Sequence, residues 1–163
     1  MVEVDGYKYH KKDNKQKGLY LSGSFGSGKT FIVSALLNEL AKDGYNSIIV
    51  YYPELLRSLK EGFGNEDFND RINEIKKCDL LLLDDIGAES ITQWTRDEIL
   101  LPVLDERMNK GMKTYFTSNY SMEELEQQYR LVNKPNNTIA SLRILERIRT
   151  LSKPVELSGK SRR

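Results

Sequence analysis

Short apolar runs alternate with amphipathic stretches along most of this chain, and the alternation predicts a parallel α/β sheet. Gly18-Leu19-Tyr20-Leu21-Ser22 is the first apolar run. Behind it Phe31, Ile32, Ala35, Leu36 and Leu40 recur at helical spacing as far as Gly44, a helix stop. Ser47–Tyr52 predicts a second strand. Pro53 starts a helix through Leu55, Leu56 and Leu59, which Gly62 and Gly64 break. Phe68 to Lys77 reads as another helix, with Ile72 and Ile75 inward. Asp79–Asp84 carries four successive leucines, the mark of a third strand buried on both faces.

The pattern continues in the second half. Thr95-x-x-Glu98 has the form of a capping box and opens a long helix through Leu100, Leu104 and Met108. Pro102 lies inside that helix and predicts a kink or a broken turn, and Gly111 ends it. Lys113–Ser118 is a fourth strand, and Ser121-x-x-Glu124 is a second capping box before a short helix. Residues 131–137, rich in Asn and Pro, read as a loop. Thr138–Thr150 is a helix with Leu142, Leu145 and Ile148 on one side, and Val155–Leu157 is a candidate fifth, edge strand.

The turn between the first strand and the first helix carries chemistry. Residues 23–30 read Gly23-Ser24-Phe25-Gly26-Ser27-Gly28-Lys29-Thr30, a G-x-x-x-x-G-K-[ST] phosphate loop with every position filled. Its glycines let backbone N–H groups turn toward phosphate oxygens. Lys29 is placed for the β- and γ-phosphates, and the Thr30 hydroxyl for a Mg²⁺ shell. The helix that follows turns its positive end toward the same phosphates.

Leu80-Leu81-Leu82-Leu83-Asp84-Asp85 is an apolar strand ending in two acids, the Walker B pattern. Asp84 is the candidate metal acid beside Thr30, and Asp85 the candidate acid that orients or activates the attacking water. Asn119 follows the fourth strand and takes a sensor role beside the γ-phosphate if that strand lies between the first and third. Arg143 and Arg147 lie one helical turn apart on one face. Their spacing leaves two roles open: a solvated charged helix, or an arginine finger reaching a neighbouring subunit's nucleotide.

Composition narrows the classes. With 163 residues the chain is long enough for one domain with a real core. Lys+Arg 25 against Asp+Glu 24 gives a net charge of +1, which removes any global electrostatic case for nucleic acid. Local basic ends remain: five lysines within residues 1–17, and Lys153, Lys160, Arg162 and Arg163 within residues 152–163. They suit solvated termini or a nucleic-acid or partner contact. No run approaches the roughly 18 apolar residues of a membrane span, and the polar N-terminus does not read as a signal peptide. The single Cys78 excludes an internal disulfide, suits a small residue before a buried strand, and suggests a reducing compartment. His10 reads as exposed, and no Cys/His cluster could hold zinc. The expected location is cytoplasmic, without a membrane partner.

Taken together these segments resemble the ATPase domain of bacterial primosomal helicase loaders, the DnaI/DnaC family of AAA+ proteins. The resemblance rests on Gly18-Leu19-Tyr20-Leu21, Leu83-Asp84-Asp85-Ile86-Gly87-Ala88-Glu89, Trp94-Thr95-Arg96-Asp97-Glu98, Phe116-Thr117-Ser118-Asn119 and Arg143-Ile144-Leu145-Glu146-Arg147-Ile148. It implies a three-layer RecA-like core with a five-stranded, mostly parallel sheet and no separate helical lid. It implies one AAA+ domain over residues 1–163, with the family's N-terminal helicase-binding domain absent. ATP or ADP and Mg²⁺ are the implied cofactors. The implied partners are the hexameric replicative helicase, single-stranded DNA, and a second copy of the chain through Arg143. Carried over by position, Lys29, Asp85, Asn119 and Arg143 are catalytic, residues 23–30 bind nucleotide, and Thr30 and Asp84 hold metal. Arg147 is the runner-up for the finger. Asp85 stands where most AAA+ relatives carry Glu; one methylene fewer implies slow hydrolysis, under partner control.

The expected function is therefore an ATP-driven helicase loader in replication initiation. Two rivals share its motifs: a transposition-helper or initiator-type AAA+ ATPase, and a small-molecule phosphoryl-transfer kinase. The candidate strand-binding surface is Pro53–Lys77, with Arg57, Lys60, Phe63, Arg71, Lys76 and Lys77, residues that suit an ordinary amphipathic helix pair equally.

Overall fold

A computed structural model describes residues 2–4, 7–9, 17–62, 66–88, 92–131 and 138–158. A short antiparallel ribbon, β1 (Val2–Val4) with β2 (Tyr7–Tyr9), opens the chain, where the sequence pattern predicted no strand. The elements that follow are β3 (Gly18–Gly23), α1 (Lys29–Lys42), β4 (Ser47–Tyr51), α2 (Tyr52–Gly62), α3 (Glu66–Lys77) and β5 (Leu80–Asp84). Then come α4 (Leu101–Asn109), β6 (Lys113–Ser118), α5 (Met122–Leu131), α6 (Thr138–Leu151) and β7 (Ser152–Leu157).

The main sheet has five strands in the order β4-β5-β6-β3-β7, and every pairing is parallel. Strand alternation sorts its side chains into two cores. Leu19, Leu21, Leu80, Leu82 and Tyr115 face α1 through Val33, Leu36, Leu37 and Leu40. Tyr20, Val50, Leu81, Leu83 and Phe116 face the other way, onto α2 to α6. The result is three layers, and α5 and α6 share the second core, forming no separate lid among the described residues. The four leucines of β5 are all at most 2 % exposed. At about 1.5–3 kcal/mol each they contribute on the order of 6–12 kcal/mol before chain entropy opposes it.

Two local readings change. Thr95 does not cap against Glu98. Instead Thr92 and Thr95 exchange backbone-to-hydroxyl bonds (Thr95 N–H to Thr92 Oγ1 and Thr92 N–H to Thr95 Oγ1, each 3.1 Å). The chain then runs through a π-helical turn, Thr95–Leu100, in which the Leu101 N–H donates to the Arg96 carbonyl. Pro102 explains the widened turn: it withdraws the N–H that would continue the ordinary ladder. The broken turn expected at Pro102 is thus present, as a π turn. The second change is β7, which begins at Ser152 directly behind α6 and pairs along its whole length with β3, Gly18 to Gly23. Pro154, which lacks a donor, is accommodated because β7 is an edge strand.

Other readings stand. Ser121 and Glu124 form the reciprocal capping box, with Ser121 N–H to Glu124 Oε2 at 2.8 Å and Glu124 N–H to Ser121 Oγ at 3.2 Å. Cys78 is buried before β5. One further reading is corrected: Leu142 is only half-buried, and Ile144 joins Leu145 and Ile148 inward in its place. His10, the loop at 132–137, Phe63, Gly64, Glu89, Lys160, Arg162 and Arg163 lie outside the described residues.

Candidate functional site

The site forms where three strands end. β6 lies between β3 and β5, so the phosphate loop after β3, the acids after β5 and Asn119 after β6 converge at the carboxyl edge of the sheet. A cavity of about 560 Å³ opens there, within the usual range for small-molecule sites. Phe25, Gly26, Gly28, Lys29, Thr30, Asp84, Asp85 and Asn119 line it. Gly26 (φ 75°) and Gly28 (φ 93°) hold the loop in the left-handed region that other residues enter only at a cost.

Lys29 is 7 % exposed, and its ammonium sits inside the loop. It donates to the carbonyls of Gly23 (2.8 Å) and Ser24 (2.9 Å), to Ser27 Oγ (3.4 Å) and to Asn119 Oδ1 (3.0 Å). Burial pulls its pKa below the ordinary lysine value, while Asp85 and Asp84 act in the opposite sense. Asn119 has a second bond: its Nδ2 donates to Asp85 Oδ1 at 3.3 Å. One amide therefore joins the phosphate-loop lysine to the second acid.

Asp84 Oδ1 accepts from the Thr30 hydroxyl (2.8 Å) and from the Thr117 hydroxyl (2.6 Å). A hydroxyl and a carboxylate in contact, beside a phosphate cradle, fit Mg²⁺ chemistry. That ion takes one or two protein oxygens and completes its octahedron with water and phosphate. Among the described residues no group of three or more His, Cys, Asp or Glu is placed to hold an ion, and Mg²⁺ bound in this way needs none.

Asp85 is the one non-glycine residue with positive φ among the described residues, at 61°. Its N–H donates to Thr117 Oγ1 (2.9 Å), which fixes this strained turn. Its Oδ2 accepts a long bond from the Tyr51 hydroxyl, 3.4 Å. Burial, then the charge of Asp84, raise the pKa of Asp85 above the usual carboxylate value; the Tyr51 bond and Lys29 oppose them.

Sequence reasoning missed three contributors. Tyr51 ends β4 beside Asp84 of β5 and lines the cavity. Thr117 holds both acids, through its hydroxyl. Phe31 looked like a core residue of α1 but is 78 % exposed at the cavity mouth. Strand alternation gave the only hint for Thr117, since a buried threonine two residues before Asn119 needs a partner.

The two finger candidates differ. Arg147 donates to Asp105 Oδ1 (2.7 Å) and to Glu146 Oε2 (3.0 Å), and is held within its own subunit. Arg143 is exposed and does not line its own chain's cavity. In the Pro53–Lys77 segment Arg57, Arg71 and Lys77 are exposed, while Lys76 is half-buried near Glu106 at 3.9 Å. The Lys60 side chain and Phe63 lie outside the described residues.

Comparison with known proteins agrees with this geometry. The family described as IstB-like ATP binding protein matches residues 8–163. The replicative helicase loader DnaI of Bacillus subtilis (strain 168) is 42% identical over 161 residues, covering 98% of this chain and 52% of its own length. A crystal structure of DnaI superposes with a TM-score of 0.79 at 45% identity, over 91% of this chain and 74% of that one. AMPPCP-bound DnaA from Aquifex aeolicus shares the fold, with a TM-score of 0.71 at 22% identity, over 89% of this chain and 41% of that one. The chain spans about half the length of the curated relatives it matches.

Proposed function

The chain belongs to the IstB-like ATP-binding proteins and, by its likeness to DnaI, to the DnaI/DnaC family, and on that footing we propose that it is the nucleotide-responsive ATPase part of a replicative helicase loader. The observation that carries the ATP reading is the single chain of contacts from Lys29 through Asn119 to Asp85, beside the Thr30–Asp84 pair. Helicase loading rests on the likeness to DnaI, which covers nearly all of this chain. The transposition-helper reading is not favoured: the IS1162 ATP-binding protein matches 57% of the chain, at 32% identity.

In this reading Lys29 exchanges its loop carbonyls for β- and γ-phosphate oxygens. Thr30 and Asp84 hold Mg²⁺, which supplies charge neutralisation on the phosphates. Asn119 then reports on the γ-phosphate, because it touches both the lysine and the second acid. Asp85 orients the attacking water and accepts its proton; its raised proton affinity suits that task. Its short side chain, held by long bonds, supports slow hydrolysis. Arg143 acts on the nucleotide of a second copy, since Arg147 is held at home by Asp105. The exposed cations of α2 and α3 contact single-stranded DNA, and the chain works in the cytoplasm. Among the described residues no helix is long and apolar enough to cross a membrane.

Differential affinity for ATP and ADP states supplies the switch, since a ligand shifts an equilibrium only as far as that difference allows. The test is retention of the replicative helicase by the protein at its full natural length, with ATP, with ADP and with Lys29→Ala. Nucleotide-dependent retention lost in Lys29→Ala is the expected result. Retention indifferent to nucleotide, or no retention at all, would reject the loader assignment.

A further inference from the structure

Thr117 lies at the carboxyl end of β6, buried to 1 % exposure, yet it lines the phosphate cavity. Its one hydroxyl reaches both acids of the neighbouring strand. The Asp85 N–H donates to Thr117 Oγ1 at 2.9 Å. A backbone N–H can only donate, so the hydroxyl accepts there and keeps its single proton for the other contact. That contact is Asp84 Oδ1 at 2.6 Å, the length of a hydroxyl donating to a charged carboxylate. Chemistry therefore fixes the direction of both bonds.

The main chain around the acids is held from the same strand end. Register pairing of β5 with β6 runs as far as Leu83 and Phe116. Beyond it the Ile86 N–H donates to the Thr117 carbonyl (2.9 Å), and the Ser118 hydroxyl donates to the Ile86 carbonyl (2.6 Å). Asp85 is thus tied at its own N–H and through the residue after it, which keeps it in a left-handed conformation it would otherwise leave. The two hydroxyls on Asp84 differ in what else they can do. Thr30 is itself a candidate metal ligand, so its bond to Asp84 is exchangeable. Thr117 sits on a central strand and has no second acceptor for its proton among the described residues. Both hydroxyls use Oδ1, and Asp84 Oδ2 has no hydrogen-bond partner among the described residues.

We propose that Thr117 is the positioning residue of the acid pair. Its hydroxyl holds the Asp84 carboxylate in the orientation that serves magnesium, and through the Asp85 N–H it holds the turn that presents the second carboxylate to the cavity. It acts through the two acids, so one oxygen sets both the metal requirement and the rate. This rests on the ATP reading and adds the group that makes Asp84 and Asp85 work as a unit. A carboxylate fixed before the ligand arrives binds without first being ordered, which is where the gain lies.

The experiment follows binding of a non-hydrolysable ATP analogue by calorimetry across a magnesium series, and ATP hydrolysis over the same series, for wild type, Thr117→Val and Thr117→Ser. Valine keeps the shape and removes the hydroxyl; serine keeps the hydroxyl. In Thr117→Val the magnesium concentration for half-maximal effect rises about tenfold or more, the loss of one hydrogen bond to a charged group, and kcat falls by a similar factor. Analogue affinity without magnesium stays at the wild-type value, because the phosphate-loop contacts are untouched. Thr117→Ser returns both quantities to near wild type. Stability alone decides nothing, since losing any buried bond lowers the thermal midpoint. Thr114→Val supplies the comparison: Thr114 is a buried threonine near the other end of β6, and its hydroxyl serves Arg107 and the Met112 carbonyl. Its loss lowers the midpoint and leaves the magnesium requirement unchanged. If Thr117→Val does not fold, Thr117→Ala against Thr117→Ser isolates the same oxygen. A wild-type magnesium requirement and kcat in a folded variant without the hydroxyl overturn the proposal. So does an equal shift in Thr114→Val, or a serine variant that fails to rescue. A wild-type chain that does not bind the analogue, or binds it indifferently to magnesium, rejects the ATP reading beneath it.

Discussion

At the amino ends of β5 and β6, Arg107 is fully buried and every nitrogen has an acceptor. Its Nε donates to Thr114 Oγ1 (2.9 Å), one terminal nitrogen to the carbonyls of Ile75 (3.0 Å) and Cys78 (2.8 Å), and the other to the Lys113 carbonyl (2.8 Å). At the carboxyl ends of the same strands, Asp85 is held by bonds of 3.3 and 3.4 Å from Asn119 and Tyr51, with an open cavity in front of it. The two regions use buried charge for different ends. Arg107 ties the last turn of α3 to the start of β6, with each of its nitrogens engaged by protein and no cavity in front of it among the described residues, the position of a structural group. Asp85 keeps long contacts, and Lys29 and Asp84 keep shorter ones that line an open cavity, where a ligand can replace them. A charge enclosed by its partners marks a structural joint, and a charge facing a cavity marks a site.

Substitutions separate the two ends. The largest expected effect is at the structural end. Arg107→Ala leaves several buried carbonyls without donors and opens a hole, and is expected to cost about 3–5 kcal/mol in denaturant unfolding. A cost below about 1 kcal/mol would show that water replaces the guanidinium and would break the contrast.

Asp85→Asn comes next and has opposite signs on rate and stability. Hydrolysis is expected to fall about 10²- to 10³-fold, in the lower part of the usual range for a lost general base. Because the folded chain raises the pKa of Asp85, this group favours folding below the ordinary carboxylate value, and that contribution is lost as pH rises through the raised value. At neutral pH its charge beside Asp84 opposes folding. Asp85→Asn should therefore raise the thermal midpoint at pH 7, and the gain should fade in acid. A lowered midpoint at pH 7 would contradict it. The same raised pKa predicts that turnover declines in mild acid earlier than an ordinary aspartate would dictate.

Asn119→Ala removes one bridge between charged groups and is expected to lower kcat about tenfold with ATP affinity nearly kept. Equal losses in kcat and affinity would make it a binding residue only. The smallest effect is remote from both ends. Ser121→Ala removes one half of a capping box and is expected to cost about 1 kcal/mol without changing hydrolysis.

Much of this was legible in the sequence because spacing and period carry it. The phosphate loop and the acids after four leucines follow from local patterns, and the place of Asn119 required only that β6 sit between β3 and β5. What was not legible depends on neighbours distant in sequence. Arg107 looks like any helical arginine until β6 and the end of α3 close around it. Tyr51 becomes part of the site only through the register that sets it against Asp84. Thr95 resembled a cap because the motif is short, and the competing Thr92 won with two reciprocal bonds. The edge strand was read from Val155 on, and its first half, Ser152 to Pro154, was missed: a proline gives no strand signal, although an edge strand accommodates one.

The central claim is that the carboxyl end of the sheet is a triphosphate cradle closed by Lys29 and a magnesium-linked Asp84. Calorimetric titration of a non-hydrolysable ATP analogue, with and without magnesium, against wild type and Lys29→Ala tests it directly. Binding that strengthens with magnesium and weakens at least about 100-fold in Lys29→Ala, the loss of a buried charge-assisted contact, is the expected result. Equal affinity in the two proteins, or binding indifferent to magnesium, would contradict it.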